Sequence, residues 1–346
     1  MIIPVFNEAP RIEQVIRSIL GQSRPTYDLE ILVVDGNSTD GTSEILQSIA
    51  VSNLELRLLT NARRVTPVAF NIGLEQARGE YICILGAHTV YDQDYIFTCL
   101  SELAANDAVG CGGRVFATAA NTSMQARLVA LSLSSSFGTS SKSFRNHPQG
   151  YADTINYPVY YRRAVMEVGG YDEELWRNQD NDLNQRLRSR GHRLYMTWKT
   201  SCRYFVQPTI GSLSRYAWKN GYWNVISLRK NAAAHGFYHF MPGIFVLACL
   251  LTSLVAFLGL YFPIPWASVP LIVLLSSYVG ASLMASCLAM ARQSWLRAAL
   301  LPPFFLALHV SYGLGTLWGV MCNAKSPETG MADATRRKSS PAQSTP

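Results

Sequence analysis

The sequence predicts an α/β fold, a mostly parallel sheet flanked by helices, followed by transmembrane helices. Three observations carry this prediction. Short apolar strands alternate with amphipathic helices through the first hundred or so residues. Residues 31–34 (ILVV) are β-branched or aliphatic throughout, as a parallel strand buried on both faces must be. Residues 240–322 are mostly apolar, in runs long enough to cross a hydrocarbon core of about 30 Å.

The chain opens on the end of a strand, residues 1–6, closed by Asn7 and Glu8. Ile12, Val15, Ile16 and Ile19 follow at helical spacing, and Gly21 can stop that helix. After the strand at 31–34, Asp35-Gly36-Asn37 turns the chain. Ser38, Thr39 or Asp40 can then N-cap a helix carrying Ile45, Leu46 and Ile49. Asp35 therefore lies at the carboxyl end of a buried strand, where open α/β sheets bind ligands. Residues 54–59 form another short strand. Thr66 and Pro67 supply an N-cap and a first-turn proline for a helix that runs to Gly79. Residues 81–85 make a further buried strand, ending in Gly86-Ala87-His88. A helix over 95–104 and a strand over 109–116 follow. Such alternation with short loops implies right-handed crossovers and a mostly parallel sheet.

Residues 138–150 (GTSSKSFRNHPQG) are polar, basic and low in aliphatics. They predict a loop, either mobile over a site or simply exposed. A short helix at 163–168, a Gly169-Gly170 break and an amphipathic helix at 180–190 with Leu183 and Leu187 inward complete the soluble part. Residues 211–229 mix cations with rings: Arg215, Tyr216, Trp218, Lys219, Tyr222, Trp223 and Arg229. A helix lying in the membrane interface uses such residues, rings at headgroup depth and cations near lipid phosphate.

Three apolar runs come next, at 240–262, 266–291 and 298–322, the third interrupted by Pro302 and Pro303. The link between the first two has no Lys or Arg, whereas Arg292 and Arg297 lie between the second and third. By the positive-inside rule the large domain and the Arg292–Arg297 loop face the cytoplasm. A third full span would put Arg336, Arg337 and Lys338 outside, against that rule, so two or three spans stay open. The sequence thus divides into a domain at 1–236, with 211–236 as its interfacial segment, a membrane domain at 237–324, and a tail at 325–346. The tail is rich in Ser, Pro, Ala and Thr and is expected to be disordered.

A net charge of +7 suits anionic partners, either ligand phosphates or the negative cytoplasmic leaflet. Basic and aromatic residues interleave in one stretch alone, which argues against nucleic acid as a partner. The seven cysteines include no C-x-x-C pair, and Cys83, Cys249 and Cys287 lie in apolar runs, favouring a reducing compartment. The opening MIIPVFNE turns polar too soon for a signal peptide. Neither G-x-G-x-x-G nor G-x-x-x-x-G-K-[ST] occurs, which speaks against dinucleotide reductases and P-loop enzymes. His235 and His239 are four apart, but no Glu follows the first, so a zinc-protease motif fails.

Several motifs occur in one order. They are IIPVFNE, VVDGNSTDGT, A-x-N-x-G at Ala69, Asn71 and Gly73, and A-x-G-E at Ala77, Gly79 and Glu80. GGYDE at 169–173 and RNQDNDLNQRLR follow. Together they resemble family 2 of the inverting glycosyltransferases over residues 1 to about 230. The basic-aromatic stretch and the apolar C-terminal segments are most similar to the membrane-bound, succinoglycan-biosynthesis type.

The resemblance implies a GT-A fold, a Rossmann-like domain that binds a nucleotide-diphosphate sugar. Carried onto this sequence, it places Pro4 and Glu8 in the nucleoside pocket, Asp35 on the base, and Ala87 beside the nucleotide sugar. A carboxylate at a strand end can accept such hydrogen bonds. Arg63 and Arg64 can meet phosphate as guanidinium forks. GAHTVY, from Gly86, stands where the family has its metal-binding D-x-D motif. Gly86 replaces the first carboxylate and leaves His88 to hold Mn²⁺ or Mg²⁺, so dependence on a divalent cation is in doubt. Asp180 matches the second residue of the E-D motif that supplies the catalytic base; Gln179 stands in place of the Glu, and Asp182 is the runner-up. RYAWKNGYW is the nearest equivalent of the family's Q-x-x-R-W and puts Trp218 and Lys219 on the acceptor side.

The resemblance therefore implies a multi-pass enzyme of a bacterial-type inner membrane, its catalytic domain cytoplasmic. It would move a sugar from a nucleotide donor to a lipid-linked saccharide in exopolysaccharide or cell-surface glycan synthesis. Its rival is a catalytically impaired GT-A module that binds nucleotide sugar or lipid within an assembly complex, as Gly86 and Gln179 suggest.

Overall fold

The structure, a computed structural model, describes residues 1–322 apart from 26, 263 and 294. The expected disordered tail lies outside the described residues. Strands β1 (Ile2–Val5), β2 (Ile31–Asp35) and β3 (Leu56–Thr60) pair in parallel, with Val5 opposite Asp35 and Asp35 opposite Thr60. Their carboxyl ends are therefore level. Helices α1 (Ile12–Leu20), α2 (Thr42–Val51) and α3 (Thr66–Gln76) are the crossovers.

Ile3 and Val33 join Ile12, Ile16, Ile19 and Leu46 in one core, while Ile2 and Val34 join Ala69, Phe70 and Leu74 in another. The strands are thus buried on both faces, as their unbroken apolar runs predict. Gly73 is needed for that packing, since a Cβ there would lie 2.4 Å from Ile2 Cγ2.

The sheet continues into a second half. Beyond β4 (Tyr81–Cys83), Ile84 bridges to Ile2 in parallel, and the Leu85 N–H donates to the Ile2 carbonyl at 3.0 Å. The remaining strands are β5 (Thr89–Tyr91), β6 (Gly110–Ala119), β7 (Gly150–Tyr151), β8 (Val159–Tyr161) and β9 (Leu194–Val206). Their order is β4-β8-β6-β9-β5, with β7 also on β9. Only the β6–β9 pair is parallel, so the expected mostly parallel sheet holds for the first half and becomes mixed in the second. Burial pattern says which strands are covered, but not the direction in which a short strand enters. Helices α4 (Tyr95–Ala105), α5 (Met124–Ser134), α6 (Arg162–Glu167) and α7 (Gln179–Ser189) complete this domain.

Thr209 caps α8 (Ile210–Lys230), its hydroxyl accepting from the Ser212 N–H at 3.1 Å. Then come α9 (Met241–Leu258), α10 (Val269–Gln293) and α11 (Pro302–Met321). Three segments, Met241–Leu258, Val269–Arg292 and Leu296–Met321, are long and apolar enough to cross a membrane. The third opens with a 3-10 helix at Leu296–Leu300 and becomes α-helical at Pro302, so the prolines mark a break in it; they occupy the first turn of α11, where no N–H needs an intrahelical partner.

Helix α8 packs along α11. A Cβ at Gly221 would sit 2.0 Å from the Tyr312 carbonyl oxygen, and one at Gly315 would sit 2.1 Å from that of Trp218. Gly313 meets Pro242 of α9 in the same way, at 2.3 Å. Small residues let these backbones approach, as they do between membrane helices. The third segment is accordingly 39% buried, against 11% and 17% for the first two, and its cover is α8.

Candidate active site

The carboxyl ends of β1, β2 and β4 and the start of α7 enclose a cleft of about 300 Å³. Pro4 and Glu8 line one wall, Gly36 and Arg64 the next, Ala87 and His88 the third, and Gln179 and Asp180 the side facing them. The sheet register brings the first three groups together, and the left-handed Asn178 (φ 63°) turns α7 toward them.

Asp35 stands at the end of β2, as the sequence predicts, but its carboxylate is occupied. It accepts from the Ser38 hydroxyl at 2.6 Å, the Ser38 N–H at 3.2 Å and the Ser43 hydroxyl at 2.6 Å. Its neighbours Val34 and Gly36, rather than Asp35 itself, line the cleft. Asp40 binds across to the other loop, accepting from the Ala9 N–H at 3.1 Å, while Asn7 accepts from the Thr39 N–H at 2.9 Å. The polar run NSTDGT thus cross-links two cleft loops. None of Ser38, Thr39 and Asp40 is the N-cap of α2; Gly41, at φ 94°, takes that place.

The loop after β4 explains the missing carboxylate. A Cβ at Gly86 would lie 2.9 Å from Tyr157 Cε1 and 3.2 Å from Thr89 Oγ1. Tyr157, in a left-handed backbone at φ 51°, fills the space that an acidic side chain at 86 would need. His88 Nδ1 lies 3.7 Å from Glu8 Oε1, so these two are the donors on that wall. Among the described residues no group of three or more His, Cys, Asp or Glu could hold a metal ion. One carboxylate and one imidazole do not build a full cradle for a hard divalent cation.

Asp180 and Asp182 diverge. Asp180 is half-buried in the cleft wall, and desolvation pushes its carboxyl up to about 7. Buried phenols of Tyr160 and Tyr171 are near enough to feel its charge. Asp182 is 4% exposed and fully engaged: Arg186 Nε donates to it at 2.9 Å and Asn231 at 2.8 Å. Arg186 also donates to the carbonyls of Val168 and Gly170, at 2.6 and 2.7 Å. Asp182 therefore anchors α7 and lies outside the cleft lining, leaving Asp180 as the carboxylate of this pair that faces it.

The two loop arginines also part. Arg64 lines the cleft with its guanidinium over the Phe6 ring at 5.2 Å. Arg63 pairs with Glu173, which also accepts from Asn71 Nδ2 at 3.0 Å. The A-x-N-x-G and GGYDE motifs are thus joined through Asn71, whose amide also donates to the Tyr171 carbonyl at 2.9 Å.

Trp218 and Lys219, expected on the acceptor side, and three other residues of α8 face different surroundings. Trp218 stacks on Tyr222 at 5.5 Å and Lys219 is exposed; neither lines a cavity beside α7. Tyr216, Asn220 and Asn224, at four-residue spacing, do. They face a cavity of about 450 Å³ bounded by loop 138–145, the start of α7, and helices α9 and α11. Arg177 donates to Asn220 Oδ1 at 2.6 Å and Asn178 to Asn224 Oδ1 at 2.6 Å, tying α8 to the entry of α7. Burial works to raise the Tyr216 phenol, but Arg145, Asn220 and Arg177 outweigh it and hold it below its ordinary value. Only the i, i+4, i+8 spacing of 216, 220 and 224 could have exposed this face in the sequence.

Comparisons with known proteins agree with this geometry. Residues 1–169 match the family model described as glycosyl transferase family 2. The succinoglycan biosynthesis protein ExoA of Rhizobium meliloti is 28% identical over 276 residues, covering 78% of this chain and 79% of that protein. A Methanococcus voltae dolichyl N-acetyl-glucosaminyl phosphate diacetamido-glucuronosyltransferase is 28% identical over 247 residues, 66% of this chain and 76% of its own. Among solved structures, the mannosyltransferase PcManGT of Pyrobaculum calidifontis, determined with GDP-mannose and Mn²⁺, superposes with a TM-score of 0.58 at 19% identity. The match covers 91% of this chain and 86% of that one, and it shows the GT-A fold. A cleft at the sheet's carboxyl edge, the motifs that build it and these relatives agree: residues 1–169 carry a family 2 glycosyltransferase domain.

Proposed function

We propose that this enzyme transfers a sugar, with inversion, from a nucleotide-diphosphate sugar in the cleft to a hydroxyl of a lipid-linked saccharide at the membrane surface. The observation that carries this reading is Asp180. A carboxylate held near neutrality in a half-buried cleft wall suits a general base, because its ionised fraction and its basicity are both useful at working pH. The acceptor oxygen attacks the anomeric carbon from the face opposite the diphosphate and gives its proton to Asp180. The bond from the anomeric carbon to the diphosphate breaks, and its electron pair leaves with the nucleotide. Arg64, in the cleft wall, is placed to meet that negative charge. Pro4, Glu8 and Ala87 are assigned to the nucleotide sugar, and Asp35 to shaping the loop beneath the base.

Relatives support the substrate classes. PcManGT was solved with a nucleotide sugar, and the Methanococcus voltae protein is named for a dolichyl phosphate acceptor. The three apolar segments support anchoring of residues 1–236 by residues 237–324. Arg127 stacks over Trp295 at 4.3 Å, which supports a common side for the catalytic domain and the Arg292–Arg297 loop; under the positive-inside rule that side is cytoplasmic. The impaired-module reading rested on Gly86 and Gln179. Gly86 has a steric cause in Tyr157, and the base remains at 180.

The test is nucleotide release from a panel of UDP- and GDP-sugars by membranes containing the protein, with and without Mn²⁺, alongside Asp180→Asn. Release that the substitution abolishes is expected. Release that survives it would overturn the assignment of the base.

A further inference from the structure

A third and larger cavity, of about 810 Å³, lies where the catalytic domain meets α10. Four arginines reach it: Arg114 from β6, Arg127 from α5, Arg145 from the loop before β7, and Arg292 from the end of α10. Among the described residues none of the four makes an ion pair with a carboxylate. Three are instead held by rings. Arg114 lies over Phe116 at 4.7 Å and Trp198 at 4.4 Å, Arg127 over Trp295 at 4.3 Å, and Arg145 over Phe144 at 4.4 Å. Stacking occupies the faces of these guanidinium groups and fixes their planes; the N–H edges of Arg114 and Arg127 remain for an anion, while Arg145 also bonds the Tyr216 phenol. Arg145 Nε is buried with no hydrogen-bond partner, a donor for which the protein supplies no acceptor. Apolar lining comes from Met284, Ala285 and Leu288 of α10 and from Ala130 and Leu131 of α5.

A site that combines four arginines with apolar lining along a candidate membrane span is complementary to an amphiphile whose polar end is a phosphate. We propose that this cavity seats the phosphate-bearing end of the acceptor's carrier lipid, its hydrocarbon chain running along α10. The connection between cavities selects that occupant over an ordinary bilayer lipid. Ser136, Phe137 and Arg145 are shared with the amide-lined cavity, which reaches Asn178 and Asn181 on either side of the Gln179–Asp180 pair. A saccharide joined to a phosphate held at Arg145 would extend through that cavity toward the base. The inference rests on the reading of Asp180 as that base for its orientation, but not for its binding chemistry.

The full chain in nanodiscs of neutral phosphatidylcholine is titrated with farnesyl diphosphate, inorganic diphosphate and phosphatidylglycerol. Farnesyl diphosphate is expected to bind at least about tenfold more tightly than either of the others. Arg145→Gln, and separately Arg127→Gln and Arg292→Gln at exposed positions, are each expected to weaken it by about tenfold, the loss of one charge-assisted contact. Donor-nucleotide binding is expected to stay within about twofold of wild type in all three, showing that the cleft is intact. Equal affinity for inorganic diphosphate would make this a bare anion site and overturn the proposal. Equal affinity for phosphatidylglycerol would make it a bilayer-lipid seat and also overturn it, as would arginine variants that bind unchanged. Asp180→Asn is expected to keep farnesyl diphosphate binding whether or not transfer is lost, so failure of the catalytic assignment and failure of the lipid site give separate signals.

Discussion

As the proposed base, Asp180 sets activity against stability. Its carboxyl is raised to about 7 by desolvation, so the folded state holds the proton more tightly than the unfolded chain does. The stabilising contribution is fully present below the ordinary carboxyl value near 4 and is lost as pH rises through about 7. Turnover runs the other way, since a base must be ionised. Turnover at saturating substrate is therefore expected to rise with pH through about 7, and Asp180→Asn to lower it by about 10²- to 10⁴-fold. The same substitution is expected to raise the melting temperature at pH 8 and leave it unchanged at pH 3. A flat pH–rate profile between 6 and 8 would contradict this. Gly86 tests a steric point at the same scale. Gly86→Asp alone is expected to destabilise the protein by about 1–3 kcal/mol in chemical denaturation, because Tyr157 occupies the required space. An unchanged denaturation midpoint would show that Tyr157 yields freely.

At the scale of the element, α8 shows what composition can and cannot say. Its rings and cations place it next to apolar helices, and its glycines bring it against α11. Once Gly221 is locked on Tyr312, the face at 216, 220 and 224 turns toward α7, and 218 and 219 turn away. Asn220→Ala is expected to raise the acceptor KM several-fold and leave the donor KM unchanged, whereas Lys219→Ala changes neither. Steady-state kinetics with both substrates varied would check this, and a reversed pattern would return the acceptor side to Lys219. Helix α7 carries the same lesson. Two carboxylates in one turn look alike in the sequence, and Arg186 and Asn231 decide that the second is an anchor.

Across the whole molecule, the packing of Trp295 on Arg127 couples the membrane segments to the catalytic domain. The loop after α10 is therefore expected on the same side of the membrane as the active site, and the link after α9 on the other. An epitope inserted at Ile264 should be accessible from the opposite side to one inserted at Arg297, measured on oriented vesicles. Accessibility of both from one side would mean that α10 does not span.

The sequence by itself determined a good deal: the buried parallel strands, the strand-end cleft, the order of motifs and the apolar helices. Each of these follows from local pattern, because an unbroken aliphatic run requires cover on both faces and a turn after it requires an open strand end. Tertiary structure alone decided the rest. It reversed strand directions in the second half of the sheet, closed Gly86 with Tyr157 from 71 residues away in the chain, tied Asp35 to Ser38 and Ser43, and gave Arg145 to two cavities at once. Periodicity orients a side chain about the axis of its own element. Which distant element stands opposite is set by packing, and no local spacing encodes it.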